Sequence, residues 1–473
     1  MARSNNLAKN STVYALGEII PRLFSFITFP ILTTYLVPSD YGIVSYVGTV
    51  NTFLYIIGVL GLNTYYLVHY FRIDDVLEQK KLLGNISIFV FCFNLLLTVL
   101  FYLLGPLLFS AWGSNIDFYP YLAIGLAANF FDLLSVFPMA LFRVQERPLP
   151  LTILNITKAA SGVAATLILV VVFKYTAKGV LMANLIVSFI FGIIFLIITF
   201  KNAIWNINWP QIKIALKFSL PIVPGSLAYY LYSSFDRILI DKYLTLTDLG
   251  LYSTATTLAL LLGIVYNGAY KAFEPHFFKT YGQPDFNLSF QKVRDTLLYI
   301  VLICGICIGI YAKEFFQIFA SEKYITAYLY VPLIVIGPFA SAISLMYSTI
   351  VTARGKTKIN AVITIMGGAV SISLNIVFLR YFGIWASASI LSFCTILVML
   401  ASIYFSNIRI DHTRVSIASI LSIAAIFFAA YFVNLHNIWV SIGVKAVIVL
   451  SIIYIITSIL RMRPLQIIKS LVN

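Results

Sequence analysis

Ionisable residues are scarce in this chain, and several stand inside apolar runs that offer them no water. Arg22 lies near the centre of the run 12–36, with Glu18 one turn before it and Pro21 between. Tyr14, Glu18, Arg22 and Ser25 share one helical face at 4-4-3 spacing. Glu18 and Arg22 can pair at i, i+4, or the stripe can line a watery cavity. Pro21 leaves the Gly17 carbonyl without its helical donor and softens the helix there. Asp132 stands mid-way along the run 118–142 with no base within a turn. A carboxyl at that depth must find a partner on another helix or take up a proton, which makes Asp132 a candidate for ion coupling. In the run 218–241, Tyr229, Tyr230 and Tyr232 precede Ser233, Asp236, Arg237 and Asp241, with Arg237 and Asp241 again at i, i+4. Lys158 and Lys445 stand nearer the ends of their runs, where a long side chain can reach the interface. Lys271, Glu274 and His276 close the eighth run, with Pro275 marking its end, as a solvated helix end or a basic gate. Cations kept at mid-depth suit an anionic passenger, because a guanidinium engages two phosphate oxygens at once.

The elements that carry these residues follow from composition. The chain has 473 residues, 61% of them hydrophobic and only 10% charged, whereas soluble domains carry about 25% charged residues. A net charge of +15 would point to nucleic acid in a soluble protein, but there is too little polar surface for that reading. Fourteen apolar runs are long enough to cross a bilayer as helices. They are too long for barrel strands. The polar start, Met1 to Ser11, leads into a first span with no cleavage signal, read as an uncleaved helix. Cys92, Cys304, Cys307 and Cys394 all fall in apolar stretches. Cys304-x-x-Cys307 has redox or metal spacing, but no histidine or second pair accompanies it, so it reads as packing.

Charge sets the orientation. Alternate connections hold twenty-two Lys and Arg on one side and six on the other, which places both termini in the cytoplasm. Most of the excess positive charge therefore marks topology and headgroup contact. Loops on the sparse side are short, the longest near 319–326. Between the sixth and seventh spans, Trp205, Trp209, Ile212 and Leu216 share a helical face that excludes Lys213 and Lys217, with Pro210 at its start. This reads as an amphipathic segment in the interface.

The chain repeats itself. Residues 31–45 align with 239–253, matching Tyr35/Tyr243, Leu36/Leu244, Asp40/Asp248, Gly42/Gly250 and Ser45/Ser253 at an offset of 208. Both aspartates fit as N-caps of the next helix. A weaker echo sets the basic turn 143–147 over 352–356. An even number of spans per repeat means parallel repeats about an axis along the membrane normal. The expected fold is an all-α integral membrane protein of 14 transmembrane helices: two pseudo-symmetric six-helix lobes around a central cavity, plus two C-terminal helices. The expected division is 1–205 for the first lobe, 206–405 for the linker and second lobe, and 406–473 for the last two spans and the tail.

The stretch Pro30-Ile-Leu-Thr-Thr-Tyr-Leu-Val-Pro-Ser-Asp-Tyr-Gly and the stretch Ser234-Phe-Asp-Arg-Ile-Leu-Ile-Asp-Lys-Tyr-Leu resemble the polysaccharide transporter family. That family includes the Wzx-type flippases of O-antigen and capsule assembly, within the superfamily of multidrug and toxin extruders and lipid II flippases. The resemblance implies a flippase, not an enzyme, in the bacterial inner membrane. Its passenger would be an undecaprenyl-diphosphate-linked oligosaccharide, moved by alternating access with proton or sodium coupling and no other cofactor or metal. Polysaccharide polymerase or assembly proteins are the implied partners, with no nucleic acid. Arg22, Arg237, Lys158 and Lys271 would meet the diphosphate or acidic sugars. Glu18, Asp132, Asp236 and Asp241 would couple or gate, and Tyr229 and Tyr230 would stack on sugar rings. A lipid II flippase or a multidrug antiporter shares the fold, though mid-span Arg22 suits an organic cation poorly. A membrane-embedded glycan polymerase would need a larger outer loop than any here.

Overall fold

A computed structural model describes residues 2–433, 435 and 437–461, and among these no strand occurs. The helices in chain order are α1 (Ala2–Tyr35), α2 (Pro38–Val59), α3 (Leu62–Tyr70), α4 (Val76–Trp112), α5 (Ala123–Leu133), α6 (Val136–Val144), α7 (Pro148–Leu167), α8 (Ala177–Asn202), α9 (Trp209–Ser219) and α10 (Val223–Ser234). They continue with α11 (Asp236–Tyr243), α12 (Leu246–Thr280), α13 (Phe286–Ile310), α14 (Ala312–Phe319), α15 (Val331–Ile334), α16 (Ile336–Ala353), α17 (Thr357–Phe382), α18 (Ile384–Ser406), α19 (Thr413–Phe432) and α20 (Ile438–Leu460). Thirteen stretches among the described residues are long and apolar enough to cross a membrane. The fourteenth expected span is α1, whose described apolar part, Ile19–Tyr35, is shorter. The protein is a multi-pass, all-α membrane protein.

Two compact units make up the chain, Met1–Tyr230 with Ile240–Gly250, and Leu231–Leu239 with Leu251–Asn473. Residues 206–230 and 240–250, expected with the second lobe, therefore pack with the first. In the first unit α1 lies along α7, α7 along α8, and α8 against α5. A second cluster, in which Tyr66, Leu82, Leu83, Ile86 and Phe137 are fully buried, joins α3, α4 and α6. In the second unit α18 packs on both α16 and α17, and α13 on α19. The helix α9 runs through one tight turn into α10, so the seventh span begins at Trp209. Trp205 precedes that helix, and its ring meets Phe200 at 4.4 Å. The expected single amphipathic face is thus split between loop and helix.

Local geometry repeats as the sequence does. The α2 and α12 starts, Pro38 and Leu246, are 208 residues apart. Asp40 and Asp248 are not N-caps but sit at the third helical position. Each carboxylate reaches back to the capping residue's N–H, Val37 at 3.3 Å and Thr245 at 3.1 Å. Only Thr245 completes the box, donating its hydroxyl to Asp248 at 2.7 Å and accepting from the Asp248 N–H at 3.1 Å. The basic turns match too: the amides of Arg147 and Lys356 donate to the carbonyls of Phe142 and Val351, with Glu146 and Gly355 left-handed at φ +53° and +71°. Within the first unit the two repeated helix starts touch reciprocally. A Cβ on Gly42 would meet the Leu246 carbonyl oxygen at 2.5 Å, and one on Gly250 would overlap the Pro38 carbonyl. The residues are related by the same offset, so this is a two-fold-like contact built on glycine.

Candidate functional site

The first unit holds an open cavity of about 730 Å³, whose lining includes the polar side chains of Arg22, Asp132, Lys158, Asn51, Asn155 and Asn184. Its volume is in the range of ligand sites. α1 brings Arg22, α5 brings Asp132, and α7 brings Lys158 and Asn155. The first and last of these helices are tied by Thr152, whose hydroxyl donates to the Val13 carbonyl at 2.9 Å. Arg22 is exposed to the cavity and makes no ion pair or hydrogen bond with another described residue. The side chain of Glu18, its expected i, i+4 partner, lies outside the described residues.

Asp132 occupies the last turn of α5, just before a break at Leu134 and Ser135. There the Ser135 hydroxyl donates to the Asp132 carbonyl at 2.6 Å. The end of a helix carries partial negative charge, which favours a cation nearby. Lys158 supplies it: its Nζ lies 2.6 Å from Asp132 Oδ1. The carboxylate has found its partner on another helix, and Lys158 turns into the cavity rather than reaching for the interface. The pair stays wet, with the lysine side chain 27% and the aspartate side chain 41% exposed.

The remaining expected residues are placed elsewhere. Arg237 and Asp241 do not form the i, i+4 pair their spacing offers. In the second unit the Asp236 carboxylate accepts the Arg237 backbone N–H at 2.8 Å and takes its guanidinium at 3.4 Å. The hydroxyl of Tyr252 also donates to Asp236, and Arg237 Nη2 donates to Thr256 Oγ1 at 2.9 Å. Arg237 is thus held in a closed polar cluster. Asp241, fully buried in the first unit, accepts from the Ser114 hydroxyl at 2.6 Å and the Asn115 N–H at 3.2 Å, so it caps the turn after α4. Tyr230 is 5% exposed and donates its hydroxyl to the Thr49 carbonyl, leaving no ring face for a sugar in this conformation. Tyr229 is 57% exposed on α10. Lys271 is exposed on α12, which continues through to Thr280 instead of ending at Pro275.

Lys445 is completely buried, not snorkelling. Its ammonium lies 2.8 Å from the Glu314 carboxylate, which also accepts from Ser441 at 2.6 Å. The cavity asparagines Asn51, Asn155 and Asn184 were not expected. Their signal in the sequence is an amide inside an otherwise apolar span, costly unless it faces water or a partner. The four cysteines are unpaired, and no cluster of His, Cys, Asp or Glu among the described residues could hold a metal.

Residues 7–281 match the polysaccharide biosynthesis protein family. A protein of the Lsg locus of Haemophilus influenzae is 23% identical over 305 residues, covering 63% of this chain and 72% of its own. The fold is that of the lipid II flippase MurJ in an inward closed conformation, with a TM-score of 0.75 at 14% identity over 95% of this chain and 98% of that one. An inward-facing multidrug resistance MATE family transporter of the MOP superfamily gives 0.64 at 12% identity, over 87% and 98%.

Proposed function

Because the chain belongs to the polysaccharide biosynthesis protein family, whose fold it shares with membrane flippases, we propose that it flips undecaprenyl-diphosphate-linked oligosaccharides. The passenger moves from the cytoplasmic to the outer face of the bacterial inner membrane, for assembly of a surface polysaccharide. Orientation rests on the charge bias of the connections, which puts both termini in the cytoplasm. The observation that carries the reading is Arg22: a guanidinium without an ion pair among the described residues, open to a cavity large enough for a diphosphate and its first sugars.

Lys158 and Asp132 give the cycle a coupling element. Diphosphate oxygens in the cavity compete with Asp132 for the Lys158 ammonium. A released carboxylate then takes up a proton or a sodium ion, and its return to Lys158 expels the passenger. Arg237, Asp236, Asp241 and Tyr230 serve the frame in this reading. Lys271 and Tyr229 are left as contacts for the passenger on its way in or out, and Glu18, four residues before Arg22 in the sequence, as a second coupling carboxylate. Alternating exposure of the cavity to the two faces completes transport without covalent chemistry.

The test is genetic. In a strain lacking this gene, lipid-linked repeat units accumulate on the cytoplasmic leaflet, and the wild-type chain clears them while Arg22→Ala does not. Normal surface polysaccharide in the deletion strain, with no parallel transporter present, would overturn the proposal.

A further inference from the structure

A second cavity, of about 540 Å³, lies between α17 and α18 in the second unit and has no part in the function above. The two helices come close at Gly367, where a Cβ would stand 2.6 Å from the Val398 side chain. Buried Ile363 and Val398 form the floor, and exposed Val362, Met366, Leu397 and Phe405 the rim. Along α17 the groove runs from Lys358 to Val370, about 18 Å at 1.5 Å per residue. That is close to one leaflet, half of a hydrocarbon core about 30 Å thick. A separate aromatic groove of about 440 Å³ begins one turn further out, at Leu374 and Phe393, with no cation in its lining.

Charge marks one end of the first groove. Lys358 lines it, Lys356 is exposed two residues before, and Arg354 is tied to the end of α18 through a 2.8 Å bond to the Ser406 carbonyl. From Lys323 to Ile410 the sequence contains no Asp or Glu. We infer that this groove is a binding site for one acyl chain of an anionic phospholipid, whose phosphate lies at Lys358 and Lys356. The length decides the occupant: a chain confined to one leaflet fits, whereas a polyprenyl tail is much longer than the groove. Basic groups at the membrane surface each favour an anionic headgroup by about fivefold in affinity. In the orientation proposed above, the lipid belongs to the cytoplasmic leaflet, but the inference needs only that head and chain lie on the basic side.

The experiment uses the full-length chain in detergent micelles, with phosphatidylglycerol carrying a photoreactive acyl chain as the probe. Cross-links are expected on residues 362–370 and 397–405, with competition by unlabelled phosphatidylglycerol and little by phosphatidylethanolamine. Lys358→Ala weakens competition about fivefold, and Ala401→Phe, which fills the groove, abolishes these cross-links while an unchanged melting temperature shows an intact fold. Labelling elsewhere, equal competition by phosphatidylethanolamine, or stronger competition by a polyprenyl phosphate overturns the inference. Since the unmodified chain is itself mapped, a variant that fails to fold does not leave the question open.

Discussion

Lys158 reaches from α7 to Asp132 at the end of α5, closing 2.6 Å between ammonium and carboxylate inside a water-accessible cavity. Both groups are part-exposed, so the attraction is screened and contributes at most about 1 kcal/mol to stability. Lys158→Ala and Asp132→Asn should therefore leave the melting temperature within a few degrees of wild type. Transport should fall in both. A large loss of stability with transport intact would show the pair to be a strut.

The pair Glu314–Lys445 has the same charges in the opposite setting, dry and fully enclosed. Removing one partner leaves an uncompensated buried charge, and Lys445→Met should cost about 3–5 kcal/mol. The double variant Glu314→Leu with Lys445→Met should recover most of that. Denaturation measured for both variants, read against the Asp132 series, separates a structural ion pair from a working one.

At the reciprocal contact between helix starts, Gly42→Ala and Gly250→Ala each push a methyl into a carbonyl of the other repeat. Overpacking of this kind costs about 1–3 kcal/mol, with the larger loss at Gly250. Because the two methyls press on one contact, thermal melts of the double variant should be less destabilised than the sum of the singles.

His412 lies in the connection before α19, where its Nδ1 faces Arg294 Nη1 at 3.1 Å and the Tyr347 hydroxyl at 3.3 Å. Burial, and then Arg294, hold its pKa below the ordinary 6.5, while Asp411 pulls the other way. The unfolded chain thus binds this proton at higher pH than the folded one. Stability is complete above about pH 6.5 and falls as pH drops through the folded value. His412→Gln keeps an acceptor and should flatten that part of the melting profile, whereas an unchanged slope would assign the pH dependence to another group.

How much of this was legible in the sequence depended on the range of the interaction. Helix-forming runs and the repeat offset are local properties, and both were readable. The partner of Asp132 was not, because Lys158 is 26 residues away on another helix. Lys445 was misplaced for the same reason: its depth allowed snorkelling, and only tertiary packing brought Glu314 beneath it. Asp40 and Asp248 were matched correctly yet placed three positions off, at the N-cap instead of the third helical position: Val37 offers no capping side chain to mark one start, and at the other the aspartate was taken for the cap that Thr245 provides. Arg237 and Asp241 show the limit of spacing rules, because a helix break at Phe235 and the turn at Ser114 gave each a better partner.

The most direct measurement is transport of an undecaprenyl-diphosphate-linked oligosaccharide in proteoliposomes holding wild type, Arg22→Lys or Arg22→Ala. Loss of charge-assisted hydrogen bonds worth about 1.5–3 kcal/mol predicts a rate about 13- to 160-fold lower for Arg22→Ala, with Arg22→Lys between the two. Equal rates for Arg22→Ala and wild type, with both proteins inserted to the same extent, would contradict the assignment of this cavity to the diphosphate.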